Sequence, residues 1–362
     1  MDRKNISDYG EKALIKRIIE KSSNFNNLEN TEFISSIGDD CSVMKFNGKY
    51  LTSTSDMLIQ SSHFPDSMSY FDMGFKAVTV NISDLASMGA EPIGFLLNIA
   101  IPKDLNIKDF DSIIDGVVSA CKYYNIPLIG GDTNHYNEII ISGTAFGTCE
   151  KEPMMKYGFN IGDLVCLTGK IGLAPLGFDL LLGNYNISKE LNKVNSLNIT
   201  EIDKCENIYE LAIFKALKPE ARINEGKILL NNGIKTGTDI TDGLASEFES
   251  ILSSDKKYSK YLDLNNYSKG IRIYEDMLPV DKDYINCIKK LNLNLYNSLF
   301  HVGEDFELLF TINKSQVDKL SKKLDFYIIG EITDNNTVEM ILKNGEVKTI
   351  SSKGYNHFDA SS

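Results

Sequence analysis

Two stretches in the first half of the chain repeat apolar residues with the period of an α-helix. In the first stretch the apolar positions are Phe75, Val78, Ile82, Leu85 and Met88. This spacing predicts a helix from Asp72 to Ala90, which ends near Gly89. The second stretch, from Phe110 to Cys121, predicts another helix that leads into a buried strand at Ile126–Ile129.

Segments rich in β-branched and aromatic residues, bounded by Gly, Pro, Asn or Asp, predict strands in both halves of the chain. They are Tyr50–Thr54, Ile93–Ile101, Ile139–Thr148, Asp163–Thr168, Phe306–Thr311 and Phe326–Ile332. A helix is predicted from about Leu173, another over Lys314–Leu324, and a hairpin turn at Asn344-Gly345. The Asn- and Lys-rich segment Asn184–Ile208 is predicted to be an insertion. The mixture of elements indicates an α/β (α+β) fold.

The chain length favours two domains over one. A chain of 362 residues exceeds what one hydrophobic core usually organises. The segment Met154–Gly162 lacks periodicity and carries Gly158 and Gly162, so the boundary is placed there. The predicted domains are residues 1–153 and 154–362.

The charge balance narrows the classes of partner. A net charge of -12 and a pI near 5.0 argue against sequence-independent binding to nucleic acid or to an anionic membrane. An acidic protein that handles phosphates needs a mediating cation. The 6 cysteines show no Cys-x-x-Cys pair, and no stretch has the length of a membrane span or signal peptide, so a cytoplasmic protein with reduced thiols is expected.

Single aspartates stand beside small residues where predicted elements start or stop. The segments are Gly38-Asp39-Asp40, Thr54-Ser55-Asp56, Gly130-Gly131-Asp132-Thr133 and Asp239-Ile240-Thr241-Asp242-Gly243, and Asp84 projects from the first helix. Magnesium prefers one or two protein carboxylates and completes its shell with water and substrate phosphates. Turn and cap roles remain the alternative for each segment, and a solvated helix face remains the alternative for Asp84.

The common nucleotide and catalytic motifs are absent from the sequence. It contains no G-x-x-x-x-G-K-[ST] loop, no G-x-G-x-x-G, no H-R-D loop and no G-x-S-x-G elbow. The 4 histidines and unpaired cysteines do not form a zinc pattern, although His63 could contact an anionic substrate. A nucleotide would therefore be bound through metal ions.

Eight segments, in the same order, resemble thiamine-monophosphate kinases, and the resemblance covers nearly the whole chain. They are IGDD (Ile37–Asp40), STSDMLIQSSHF (Ser53–Phe64), FKAVTVNISDLASMGAEP (Phe75–Pro92), LIGGDT (Leu128–Thr133), KPEAR (Lys218–Arg222), DITDGL (Asp239–Leu244), GEDFELLFT (Gly303–Thr311) and GYNHF (Gly354–Phe358). GEDFELLF and the terminal GYNHF are typical of the family.

The resemblance implies a fold and a reaction. The fold is the two-domain one of aminoimidazole-ribonucleotide synthetase-like proteins, in which an N-terminal mixed α/β domain forms the dimer and a C-terminal α/β domain completes the substrate site. The reaction is phosphorylation of thiamine monophosphate by ATP to thiamine diphosphate, the last step in its biosynthesis. Several Mg²⁺ ions would assist direct transfer, with no covalent nucleophile, in a cytoplasmic homodimer.

The resemblance also assigns roles to residues. The metal positions are Asp40, Thr54, Ser55, Asp56, Asp84, Asp132, Asp239 and Asp242. The ATP positions are Gly131, Asp132, Lys156 and Thr241, and the substrate positions are His63, Glu304 and Tyr355. The sequence departs from the family where Lys156 replaces a frequent arginine, Thr241 a frequent serine and Val302 a usual glycine.

Physical chemistry agrees with direct transfer. The acceptor phosphate is largely ionised at neutral pH because its second pKa is about 6, so no strong general base is required. Magnesium would offset the repulsion between the two anions. The cationic thiazolium favours an acidic or aromatic wall, which Glu304 and Tyr355 would supply.

Two alternatives remain open. One is another reaction of the superfamily, such as ATP-dependent ring closure in purine synthesis, against which the C-terminal motifs argue. Selenophosphate synthesis is disfavoured because the first 40 residues contain no cysteine. The other alternative is a non-catalytic nucleotide sensor, which would bind ATP and magnesium without turnover.

Overall fold

A computed structural model describes residues 11–22, 33–35, 38–261 and 267–351. Within these ranges the chain alternates helices and strands. The helices are α1 (Glu11–Ser22), α2 (Gln60–His63), α3 (Tyr70–Ser87), α4 (Ile107–Tyr123), α5 (Leu173–Leu182), α6 (Ser188–Asn195), α7 (Ile208–Leu217), α8 (Ile223–Asn231), α9 (Leu244–Tyr261), α10 (Lys282–Lys290), α11 (Leu295–Phe300) and α12 (Val317–Leu320). Short 3₁₀ helices lie at Ile199–Lys204, Glu275–Met277 and Lys314–Gln316.

The strands form two sheets. Six strands in the order β1-β2-β3-β6-β4-β5 form the first sheet, and seven in the order β13-β12-β9-β11-β7-β10-β8 form the second. The strands are β1 (Phe33–Ser35), β2 (Ser42–Phe46), β3 (Lys49–Ile59), β4 (Glu91–Ile101), β5 (Leu128–His135), β6 (Ile140–Cys149), β7 (Leu164–Leu167), β8 (Gly237–Asp239), β9 (Gly270–Tyr274), β10 (Leu308–Ile312), β11 (Tyr327–Thr333), β12 (Val338–Ile341) and β13 (Val347–Thr349). The mixed architecture confirms the α/β (α+β) prediction.

Helix α3 lies at the centre of the molecule. Its first turn is capped by Ser69, whose hydroxyl accepts a hydrogen bond from the Asp72 N–H at 3.0 Å. It packs closely on α4, because a Cβ added at Gly74 or Gly116 would collide with a backbone carbonyl of the other helix. It also packs on β3, β6, β8 and α8. Residues of α3 can therefore face elements from both sheets.

The predicted elements agree with the structure at most positions. The helix predicted over Asp72–Ala90 is Tyr70–Ser87, and the one over Phe110–Cys121 is Ile107–Tyr123. Asn344-Gly345 does turn between β12 and β13, which pair antiparallel, and Gly345 has a φ of 86°. The predicted strand at Ile126–Ile129 forms only as the start of β5. Its predicted burial is confirmed for Ile126, which is 6% exposed, and is wrong for Leu128 and Ile129, which are 40% and 53% exposed. An edge strand whose outer side is uncovered keeps its apolar residues at the surface.

Two further outcomes concern the second half. Asn184–Ile208, which was predicted to be an insertion, contains α6 and a 3₁₀ helix. Lys314–Leu324 forms only short helical turns. The two sheets fall on either side of residue 154, and the domain division at that position stays a prediction.

Among the described residues, no helix combines the length and the apolar character needed to cross a membrane. All six cysteines are free thiols.

Candidate metal and nucleotide site

Three carboxylates from distant parts of the chain meet at one place. Asp40 follows the turn before β2, Asp84 lies on α3, and Asp239 ends β8. Each can bring one oxygen within 4.8 Å of the others. The structure thus assembles three of the predicted metal positions into one group, which we call the carboxylate cluster.

Hydroxyl groups orient the carboxylate cluster. Thr54 on β3 donates its hydroxyl hydrogen bond to Asp84. From α3, Ser83 donates to Asp239, and Ser87 donates to Asp40 at 2.7 Å. Because residues three and four apart share a helix face, α3 presents Ser83, Asp84 and Ser87 to the same place. These bonds fix the carboxylate rotamers.

Burial and mutual repulsion make the negative charges costly. Burial, followed by the charges of Asp56, Asp239 and Asp40, holds the pKa of Asp84 well above its ordinary value. Burial and Asp40 do the same to the pKa of Asp239. Burial, then Asp40 and Asp242, raises the pKa of Asp56 to about 6. A cation at this place would relieve the repulsion.

Lys156 supplies positive charge at one side of the carboxylate cluster. Its ammonium forms an ion pair with Asp40, and its backbone N–H donates to Asp39 at 3.1 Å. Although burial lowers it, the charges of Asp40 and Glu247 raise the pKa of Lys156 above its ordinary value. A phosphate contact by Lys156, as predicted, would compete with Asp40 for the same ammonium.

The carboxylate cluster fits a divalent cation. It offers hard oxygen ligands, the preference of Mg²⁺, and its acids lie close together, with Asp239 buried and Asp40 and Asp84 half-buried. In such a place an ionised carboxylate is stable only when it is paired or metal-bound. Asp56 lies close enough to raise the pKa of Asp84, and Asp242 lies close enough to raise the pKa of Asp56. The bound cation would screen the phosphates of a nucleotide from these acids and align them.

The loop of the second sheet that carries Thr241 and Asp242 packs against the loop that carries Glu304. The Glu304 N–H donates to the Thr241 carbonyl at 2.9 Å. No Cβ would fit at Gly303, because it would collide with the same carbonyl. Glu304 itself has a φ of 65°, a left-handed conformation that is uncommon for a residue with a side chain. The predicted nucleotide and substrate positions are thus coupled through the backbone.

Two predicted substrate positions are tied to the same lysine of α3. The Lys76 ammonium donates to both carboxylate oxygens of Glu304, at 2.8 and 2.6 Å, and to the His63 carbonyl at 3.0 Å. His63 also bonds through its ring nitrogen to the backbone of Ile59. Glu304 is therefore paired already, and not an unpaired acidic wall.

Ser55, Asp132 and Gly131, all predicted site positions, lie away from the carboxylate cluster. Successive side chains of a strand point to opposite faces, so Ser55 faces away from Thr54 and Asp56, and it bonds to the Gly143 carbonyl at 2.8 Å. Asp132 lies on β5, the third strand from β3 in the sheet, where it is aligned with Asn98 of β4. The register places it on the same outer face of the sheet as Ser55. Three strand spacings of about 4.8 Å put it roughly 14 Å from β3. Gly131 precedes it on that exposed edge, and Tyr355 lies outside the described residues.

Sequence reasoning missed several residues of the site. The sequence signal for Lys76 is its place between Phe75 and Ala77 in an apolar helix. Burial of a lysine there is costly unless its charge is paired. Glu247 on α9 is buried, and burial raises its pKa to about 7, while its carboxylate accepts a long hydrogen bond from the Asp242 N–H at 3.4 Å. Its signal was an acid in the first turn of a helix that follows Asp242-Gly243.

Comparison with known proteins places the chain in a family. Residues 38–149 match the model of the family described as AIR synthase related protein, N-terminal domain. The thiamine-monophosphate kinase of Methanocaldococcus jannaschii is 34% identical over 88% of this chain and 92% of its own length. That of Buchnera aphidicola is 33% identical over 94% of this chain and 98% of its own length.

A solved structure extends the agreement to three dimensions. The structure described as "AaThiL complexed with AMPPCP and TMP" superposes with a TM-score of 0.79 at 25% sequence identity, and the match covers 99% of this chain and 100% of that chain. The predicted aminoimidazole-ribonucleotide synthetase-like fold is confirmed by this match and by the family model. By sequence and by structure, this chain belongs to the thiamine-monophosphate kinase family.

Proposed function

We propose that this protein phosphorylates thiamine monophosphate to thiamine diphosphate, with ATP as the phosphoryl donor and several Mg²⁺ ions at the site, in the cytoplasm. The observation that carries the proposal is the carboxylate cluster of Asp40, Asp84 and Asp239 in a chain of this family. The relative whose solved structure holds AMPPCP, an ATP analogue, together with TMP supports the pair of substrates.

In this proposal the acids of the site hold metal ions, and Lys156 and Thr241 bind the phosphoryl donor. Asp40, Asp84 and Asp239 hold metal oxygen ligands in fixed rotamers, with Asp56 and Asp242 beside them. Metal ions bound there would neutralise the phosphates of ATP and of the acceptor. Lys156 and the Thr241 hydroxyl contact ATP. Since the acceptor oxygen is already largely ionised, the chain needs to position two anions and not to remove a proton.

We infer that two copies of the chain form the active protein. The outer face of the first sheet exposes Met57 and Ile93 by 57% and 46%, and its edge strand β5 exposes Ile129. A second copy against this face would cover these apolar side chains and the open strand edge. It would also bring Ser55 and Asp132, two predicted metal positions on that face, into the interface between copies.

The direct test is incubation of the purified protein with ATP and magnesium, with thiamine monophosphate or with free thiamine. Chromatography of the thiamine species is expected to show thiamine diphosphate from the monophosphate alone, and only with magnesium. ATP binding without any product would refute the proposal and direct the next assay to formylglycinamidine ribonucleotide, the substrate of the ring closure. Light scattering measures the dimer, and Ile129→Glu is expected to dissociate it.

A further inference from the structure

Lys76 is a fully buried lysine in an apolar stretch of α3. Its side chain is 0% exposed. An ammonium group has three N–H donors, and Lys76 directs them at the two Glu304 oxygens and the His63 carbonyl. Burial of such a charge is tolerated only when it is paired and hydrogen-bonded. The three acceptors therefore determine where Lys76 lies, and Lys76 in turn determines where they lie.

Aromatic rings cover the Lys76 end of the ion pair, whereas the Glu304 side chain remains 27% exposed. The Lys76 ammonium lies 5.9 Å from the centroid of the Phe64 ring and 5.5 Å from that of Phe178. Ring faces attract a cation, and their bulk lowers the local dielectric constant. The pair with Glu304 is therefore stronger than a pair at the surface, and the Glu304 carboxylate has little freedom to rotate.

The ion pair joins two parts of the site that are 228 residues apart in sequence. Glu304 is fixed at its backbone by the Thr241 carbonyl and at its side chain by Lys76. Lys76 lies eight residues before Asp84 on the same helix, about 12 Å at the rise of an α-helix. A single rigid helix thus sets the separation between the carboxylate cluster and Glu304.

We propose that Lys76 is a positioning residue for the acceptor substrate, because it orients the Glu304 carboxylate relative to the carboxylate cluster. This inference rests on the proposed phosphorylation of thiamine monophosphate and on the predicted role of Glu304 as a substrate position. Because Lys76 compensates the charge of Glu304, the carboxylate meets the substrate as an oriented hydrogen-bond acceptor and not as an isolated anion. Lys76 acts through Glu304 and does not itself touch the reacting phosphates.

Steady-state kinetics of Lys76→Met tests the proposal, with thiamine monophosphate and ATP varied separately. The KM for thiamine monophosphate is expected to rise about tenfold or more, the effect of losing a hydrogen bond to a charged group. The KM for ATP should stay within about twofold, because the nucleotide contacts are intact. Lys76→Arg, which keeps the charge, should recover part of the loss.

The matched control is the double variant Asp72→Asn with Lys218→Met. Lys218 forms a second buried ion pair with α3, in which its Nζ lies 2.6 Å from Oδ1 of Asp72. Asp72 lies one helical turn before Lys76. Removing both charges disturbs α3 without touching Glu304. Both KM values of this control should stay within about twofold of the wild type. A rise in its KM for thiamine monophosphate equal to that of Lys76→Met would overturn the positioning role.

A second variant keeps the test decisive if Lys76→Met does not fold. The double variant Lys76→Met with Glu304→Gln removes both charges, and its KM for thiamine monophosphate should equal that of Glu304→Gln alone. A rise in the KM of the double variant that equals the product of the two single-variant rises would contradict action through Glu304. An unchanged KM for thiamine monophosphate in Lys76→Met would contradict it as well. A wild-type protein that makes no thiamine diphosphate refutes the proposed function, whereas an active wild type with a normal Lys76→Met refutes only the role of Lys76.

Discussion

Asp84→Asn is expected to make the metal-free protein more stable and the enzyme much less active. Asparagine has nearly the same shape as aspartate, and its amide oxygen can still accept the hydrogen bond from Thr54. Burial and three neighbouring carboxylates hold the pKa of Asp84 well above its ordinary value. At pH 7.5 the unfolded carboxyl is ionised at no cost, whereas ionisation of the folded one is opposed by burial and by the neighbouring carboxylates. Removing this charge therefore raises the free energy of unfolding without metal.

The effect on catalysis has the opposite sign. The three acids of the carboxylate cluster lie within 4.8 Å of one another, so the loss of Asp84 removes a ligand from the centre of the proposed metal site. Losing even a residue that only supports a ligand typically costs 10- to 100-fold, so loss of a ligand should lower kcat/KM by about 100-fold or more. A hundredfold loss corresponds to about 2.7 kcal/mol of transition-state stabilisation.

Two measurements on the same variant separate these effects. Thermal unfolding with and without magnesium chloride gives the stabilisation by bound metal, which should be large in the wild type and mostly lost in Asp84→Asn. Turnover is measured with ATP and thiamine monophosphate. Asp115→Asn, at an exposed position of α4, is the control and should behave as the wild type. Wild-type turnover in Asp84→Asn would refute the metal assignment, and a fall in its metal-free stability would refute the electrostatic reasoning.

Three further predictions concern stability and are checked by urea unfolding. Lys218→Met leaves Asp72 buried and unpaired and should cost about 3–5 kcal/mol; a loss below about 1 kcal/mol would contradict this. Gly116→Ala places a Cβ against the Phe71 carbonyl and should cost about 1–3 kcal/mol, unless α3 and α4 can separate freely. Burial raises the pKa of Asp305 from 3.8 to about 7, so its contribution to stability is full below pH 4 and is lost as pH rises towards 7. The free energy of unfolding of Asp305→Asn should therefore rise relative to that of the wild type between pH 5 and 7.5. A difference between the two proteins that does not change with pH would contradict the raised pKa.

Sequence patterns predicted the elements whose signal is local. The apolar period of α3 placed the helix within three residues of its observed ends, because helical spacing depends only on residues within a few turns. The predicted burial of Leu128 and Ile129 was wrong for a different reason. An apolar run looks the same whether its strand lies inside a sheet or at an open edge, and only the strand order places β5 at the edge.

The sequence by itself determined the fold class, the family and most of the acids of the site, because the motifs that carry them are short and contiguous. The tertiary structure decided which acids meet. Asp40, Asp84 and Asp239 converge, whereas Asp132 lies on another face of the sheet. It also decided that Glu304 is paired with Lys76, a contact between residues 228 positions apart. Contacts of that separation depend on the path of the whole chain, and so do the burial and repulsion that set the charge of each carboxylate.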